Sequence, residues 1–353
     1  MEDLDPNVER RPLAFAYDRS AAVFAVPLCL VGALTLNIAA LTIPFLEIRI
    51  WPDEPESYSI PHTVRLMWTT LDLPAIAILI AGFSLVFPFL KLGGLALAWF
   101  APATRRGRGR LLGVLGALGR WSLLDVFVAL VLVVLAPDQG TLFVTGVKAG
   151  LGMFLAAILL AMATGDVLHA LHEREERGAA AGPSDEMASG APTPRWVGML
   201  VILLAGAAAA ALVAALSEPY LKITAWFLSD RQYSVVTSVE ALAASHEILF
   251  ALVVAAFLAV TPAARIGWIV AAWLSRGRPA RFHRVVGQLR LIERWAMLDV
   301  FGLAVALFLL EGSHLIPIES RGGVWLLVLA VAASIVLART ASWLVSWSGR
   351  SNG

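Results

Sequence analysis

The stretch GRWSLLDVF, Gly119 to Phe127, returns 174 positions further on as ERWAMLDVF, Glu293 to Phe301. In both places an Arg-Trp pair opens an apolar run that contains a single aspartate. The chain therefore reads as a duplicated unit with a charge built into each copy. Working outward, the same offset sets Pro88 on Pro262, Lys91 on Arg265 and Gly93 on Gly267. One more residue of offset sets Pro44, Leu46, Ile48, Tyr58 and Ser59 on Pro219, Leu221, Ile223, Tyr233 and Ser234. Two tandem halves differing by a small indel account for this better than one long domain.

Composition decides the solvent. Hydrophobic residues make up 59% of the chain and charged residues 15%, with a mean hydropathy of +0.78, against roughly 25% charged residues in a soluble domain. The apolar residues come in long blocks, and a membrane span needs about 20 of them. Four such blocks fall in the first half, at 22–44, 73–100, 121–136 and 147–168. Four more fall in the second half, at 197–216, 247–274, 295–310 and 324–346. The short third span borrows a turn or more from the stretch 111–119 before it. The expected fold is an all-α integral membrane protein of eight transmembrane helices, arranged as two tandem four-helix repeats. Its parts are a cytoplasmic segment 1–21, a first repeat 22–168, a flexible linker 169–195, a second repeat 196–346 and a tail 347–353.

Orientation follows from the arginines. Arg105, Arg106, Arg108, Arg110 and Arg120 crowd one connection with no acidic residue, and the matching connection 275–294 is equally basic. Cytoplasmic loops carry this bias, so both connections, both termini and the linker are expected on the cytoplasmic side, with Glu47, Asp53, Glu54, Glu56 and Asp72 opposite. The acidic N-terminus and the lack of a small-residue cleavage site speak against a signal peptide. The linker, EREERGAAAGPSDEMASGAPTP at 173–194, has the composition of a flexible tether. In the first outer loop of each half, LEIRIW with YSIPHTV and LKITAWF with YSVVTSV alternate like short β-strands. Arginines and apolar residues segregate over 283–294 as in a helix lying on the inner membrane surface.

Charges inside the spans are the candidate site. At 1.5 Å per residue, Lys91 in span two and Asp125 in span three both lie roughly 6–14 Å below the inner surface. Either charge at a helix centre costs about 2.5–3.5 kcal/mol on insertion scales, so opposite signs on neighbouring helices imply mutual compensation. Arg265 and Asp299 repeat the arrangement. Each pair reads either as an ionic staple that fixes helix register or as a polar network that protonates, changes partner or lines a path for a headgroup. Pro88 and Pro262, three residues before each basic residue, should kink their helices and free backbone carbonyls. Ser122 is placed to hydrogen-bond near Asp125, although Ala296 replaces it in the second copy. Trp121 and Trp295 read as interfacial anchors.

Other chemistry is sparse. Cys29 is the only cysteine and lies in a span, which excludes an internal disulfide and multi-cysteine metal sites. His169, His172 and Glu173 share a helix face and carry metal-ligating atoms, but without a counterpart in the other half they read as a solvated helix terminus. Motifs of hydrolases and of nucleotide-driven pumps are missing, so no enzyme, metal, cofactor or nucleic acid is expected.

Pro88, Leu90, Lys91 and Leu92, the phrase GRWSLLDVF after a basic connection, the four-span unit and its duplication together resemble the paraquat-inducible protein A family of bacterial inner-membrane proteins. The resemblance extends from about Ala22 to Trp343. It implies a partner role in intermembrane lipid transport, in which a phospholipid passes between the bilayer and a periplasmic MCE-domain (mammalian cell entry) tunnel protein. It also implies tetraspanin-like units, each with a small sheet outside the membrane. Carried over residue by residue, the polar network is Lys91 with Asp125 and Arg265 with Asp299, and Thr340 on the last span is a further candidate; Ser122 joins it from the reading of the residues alone. The zinc ribbons typical of the family are missing. A non-transporting scaffold for that partner and an independent ion-coupled secondary transporter are the alternative readings.

Overall fold

The computed structural model describes residues 11–17, 20–50, 54–70, 74–119, 126–127, 143–179, 195–224, 230–275, 299–302, 318–320 and 322–350, with positions 285, 288, 289, 292, 295 and 305. The chain divides into two compact units, Met1–Ala129 with Thr141–Ala181 and Leu130–Gly140 with Gly182–Gly353. Among the described residues five helices are long and apolar enough to cross a membrane: Ala22–Thr42, Ala81–Phe100, Ala149–Glu176, Gly198–Ser217 and Ile248–Leu274. The protein is a multi-pass, helical membrane protein. Most of the two expected third spans, 121–136 and 295–310, lies outside the described residues.

In unit 1, α1 (Leu13–Ala16) leads to α2 (Ala22–Thr42), then to strands β1 (Leu46–Ile50) and β2 (Glu56–Tyr58) and to helix α3 (Ile60–Thr69). The next span is a composite of α4 (Pro74–Ile80), a π-helical turn at Ala81–Val86 and α5 (Phe87–Phe100). Helix α6 (Arg105–Gly119), strand β3 (Phe143–Val147) and α7 (Ala149–Ala179) follow among the described residues. Helix α2 buries Val26, Leu30, Ala33, Asn37 and Ala40, alternating steps of four and three residues, which keeps one stripe of the helix facing inward. That stripe packs chiefly on α7. Small residues along the contact, such as Ala33 and Gly32 against Leu160, let the two helices approach closely. Phe24, Leu28 and Val31 on the opposite face are exposed, as a lipid-facing surface requires.

Strands β2, β1 and β3 form an antiparallel sheet in that order, with Leu46 paired to both Tyr58 and Val147. The third strand was not expected: Val147, read as the start of a span, ends β3, and the helix begins at Ala149. YSIPHTV is also mostly helix, because Ser59 is the N-cap and Pro61 occupies the first turn, where its missing N–H costs nothing. Gly150 ties the sheet end of α7 to the end of α2 by donating its N–H to the Pro44 carbonyl at 3.1 Å.

Unit 2 contains α8 (Arg195–Ser217), β4 (Leu221–Thr224), β5 (Asp230–Tyr233), α9 (Val235–Ala244) and α10 (Ile248–Ala255). A π-helical turn at Ala256–Val260 joins α10 to α11 (Thr261–Leu274), and β6 (Ile318–Ser320) precedes α12 (Gly322–Arg350). Its sheet runs β5-β4-β6, again antiparallel. Helix α8 buries Val201, Ala205, Ala208, Leu212 and Ala215, and its main partner is α12. Gly323 donates to the Pro219 carbonyl at 3.1 Å. Ser234 starts α9 with a reciprocal capping box to Thr237, so here too the alternating YSVVTSV is mostly helix, with only Tyr233 in the strand. At the other end His246 takes φ 62° while its N–H and that of Glu247 bond back to Ala243 and Leu242, closing α9 with a Schellman turn.

Both prolines that were expected to kink a helix come directly after a π-helical turn. Pro88 and Pro262 occupy the first turn of α5 and α11, where a missing N–H is harmless. Just upstream, the Phe87 N–H reaches back to Gly82, and the Thr261 hydroxyl donates to the Ala256 carbonyl at 2.6 Å. The widened turn and the threonine absorb backbone groups that a proline would otherwise leave stranded.

Candidate functional site

In unit 1, Lys91 stands on α5 one turn beyond Pro88 and is only 4% exposed. Its ammonium lies close over Gly119, where an added Cβ would come within 3.0 Å of Nζ. Among the described residues Nζ has no hydrogen-bond partner. Asp166 of α7 contributes an attractive charge to Lys91. Asp125, the expected partner, and Ser122 lie outside the described residues. Lys91 also lines a cavity of about 10 Å³ with Asn37, Pro88, Leu92, Ala157, Ile158 and Ala161. Asn37 is 2% exposed, and its Oδ1 has no hydrogen-bond partner.

In unit 2, Arg265 follows Pro262 by the same three residues and donates from Nη1 to Ser334 Oγ on α12 at 2.9 Å. Asp299 is half-buried in this unit. Thr340 belongs to α12. Trp295, expected as an interfacial anchor, stacks on Phe257 of the π-helical turn, with ring centroids 5.8 Å apart and planes 8° apart. Trp121 lies outside the described residues.

Sequence reading missed Asn37, Asp166 and Ser334. Asn37 carried a usable signal, a single polar residue on the buried 4-3-4-3 stripe of an otherwise apolar span. Asp166 sits near the end of its span, where a charge passes for a solvated terminus.

A second polar cluster joins α6 to α7 at the end of unit 1 away from the sheet. The arginine-rich stretch expected as a loop is helical from Arg105, and it lies against the expected solvated terminus. His169 and His172 face notches at Gly116 and Gly109, where added Cβ atoms would come 3.3 and 3.0 Å from the respective Nε2 atoms. His169 Nε2 bonds the Leu112 carbonyl at 2.9 Å, and His172 is buried at 4% exposure. Arg108, 1% exposed, pairs with Glu175 at 2.9 Å and donates its other terminal nitrogen to the Arg11 carbonyl. Burial pulls the Arg108 pKa below its ordinary value, and Glu175 opposes that shift. Tyr17 donates to the Leu171 carbonyl at 2.7 Å. The N-terminal segment is thus fastened to α6 and α7, with Leu13 fully buried. Among the described residues no group of three or more His, Cys, Asp or Glu can hold a metal ion.

The family model described as Paraquat-inducible protein A matches residues 25–171 and 199–349. No curated protein and no solved structure matches the chain.

Proposed function

The chain belongs to the paraquat-inducible protein A family, and on that premise we propose that it is an inner-membrane component of an intermembrane lipid transport system. In this reading it passes phospholipid between the bilayer and a periplasmic MCE-domain tunnel protein. The carrying observation is that the family match recurs in each half of a chain built from long apolar helices. Eight spans in two repeats, with both termini cytoplasmic, would put the two sheets on the periplasmic side, where such a partner docks. The polar network of Lys91 with Asp125 and Arg265 with Asp299, with Ser122 and Thr340 as further members, would couple opening of the unit to proton or lipid occupancy. The family and the motif content fit a role without catalysis.

One observation favours the alternative of a non-transporting scaffold. The cavity at Lys91 is far smaller than a lipid headgroup, so a lipid would reach Lys91 only if that part of the unit opened.

Native mass spectrometry of the gently released protein tests the proposal. Bound phospholipid together with a co-purifying MCE-domain protein is the expected result. Partner without lipid would leave the scaffold, and neither would leave an independent ion-coupled transporter. Asp125→Asn and Asp299→Asn, singly and together, are expected to reduce transport at normal protein levels; intact transport would remove the coupling role.

A further inference from the structure

The two basic residues find their polar neighbours on different helices. Ser334, which accepts the bond from Arg265, is the eleventh residue after Gly323; Ala161 is the eleventh after Gly150 and lines the cavity at Lys91. Conversely, Asn37 lies seven residues before Pro44, and the apolar Leu212 lies seven before Pro219. Among the described residues, Arg265 is therefore met by Ser334 on the last helix of unit 2, and Lys91 shares its cavity with Asn37 on the first helix of unit 1. The longer Arg265 side chain reaches its serine directly. Lys91 and Asn37 line one cavity without bonding each other, and each leaves a polar atom unpartnered.

A buried carbonyl oxygen and a buried ammonium are each costly without a hydrogen bond. Polar cavities fill with water, whereas apolar ones stay dry, and a site of about 10–15 Å³ holds one molecule. From this we infer that the cavity between α2, α5 and α7 is an internal water site. The water accepts from Lys91 Nζ and donates to Asn37 Oδ1, doing for Lys91 what Ser334 does for Arg265. Asn37 is thereby a positioning residue for the Lys91 ammonium, whatever the protein transports.

Hydroxyl-radical footprinting with synchrotron X-rays tests the inference on the whole protein in lipid nanodiscs, because radicals formed from a bound water modify its neighbours even where bulk solvent is shut out. Leu92 and Ile158, which line the cavity, should be oxidised several-fold more than Leu95 and Leu155, which are also buried but do not line it. Asn37→Leu should bring them down to the level of Leu95, and Asn37→Asp, which keeps an acceptor, should not. Equal labelling of the two pairs in the unmodified protein, or labelling indifferent to Asn37→Leu, would overturn the water site. Should Asn37→Leu not fold, the comparison within the unmodified protein decides alone.

Discussion

Gly150 donates its amide hydrogen to the carbonyl oxygen of Pro44, and the same oxygen is what a side chain at Gly150 would strike. Gly323 stands in the same relation to Pro219. The atoms in the way are backbone, so they cannot swing aside. Gly150→Ala and Gly323→Ala should each destabilise their unit by about 1–3 kcal/mol, the usual cost of overpacking. Thermal unfolding followed by size-exclusion fluorescence checks this, with Gly93→Ala, where a Cβ meets nothing, as a control expected to change little.

The Asn37 and Ser334 arrangements should be interchangeable in part. Asn37→Leu leaves the Lys91 ammonium without its neighbour and should cost about 1–3 kcal/mol. Adding Ala161→Ser restores a hydroxyl beside Lys91, so the double variant should be more stable than the sum of the singles predicts, with a coupling on the order of 1 kcal/mol. Additive effects would show that the two positions do not serve the same cation.

Much of this architecture is legible in the chain itself. Length and hydropathy locate the helices α2, α7 and α8, because a bilayer forces backbone hydrogen bonds inside the segment and leaves an unmistakable apolar run. The strands β1 and β4 show in their alternation, whereas β2 and β5 touch the expected strands only at Tyr58 and Tyr233. Strands β3 and β6 do not show, since each runs almost directly into an apolar helix. Alternation also misleads at YSIPHTV and YSVVTSV, where a serine N-cap outranks β-branched content. In the candidate site, Lys91 and Arg265 stand out because a charge in an apolar run is conspicuous. Their neighbours are uncharged or near a helix end, and only tertiary packing brings them in.

Arg108 and Glu175 link α6 to α7 at 2.9 Å. Glu175→Gln should cost on the order of 2 kcal/mol, less than for a fully buried pair because the carboxylate is 18% exposed. It should also loosen the N-terminal segment, whose Arg11 carbonyl is held by the same guanidinium. Faster amide exchange over residues 11–17 is the measurement.

Tyr220 gives unit 2 an alkaline limit. The ring is buried edge-on against Phe301, with centroids 5.7 Å apart, and its hydroxyl lies 2.7 Å from Ser238 Oγ. Burial pushes its pKa up from 10.0 to about 12, against a small opposing effect of the Ser238 bond. A raised phenol pKa means that the folded state holds its proton longer than the unfolded chain. The stabilisation is therefore complete below pH 10 and is lost as pH rises from 10 towards 12. Tyr220→Phe should flatten that fall while costing about 1 kcal/mol at neutral pH through the lost hydrogen bond.

The π-helical turns carry a consequence of arithmetic rather than of chemistry. Such a turn is an α-helix holding one residue too many, and each residue rotates the downstream helix by roughly 100°. Deleting any one residue of Ala81–Val86 would let the helix close into α geometry and rotate Lys91 off the face it shares with Asn37, though every side chain of the site were still present. The aim of the lysine is written in a count. In this segment a lost codon should do more damage than an exchange of one apolar residue for another.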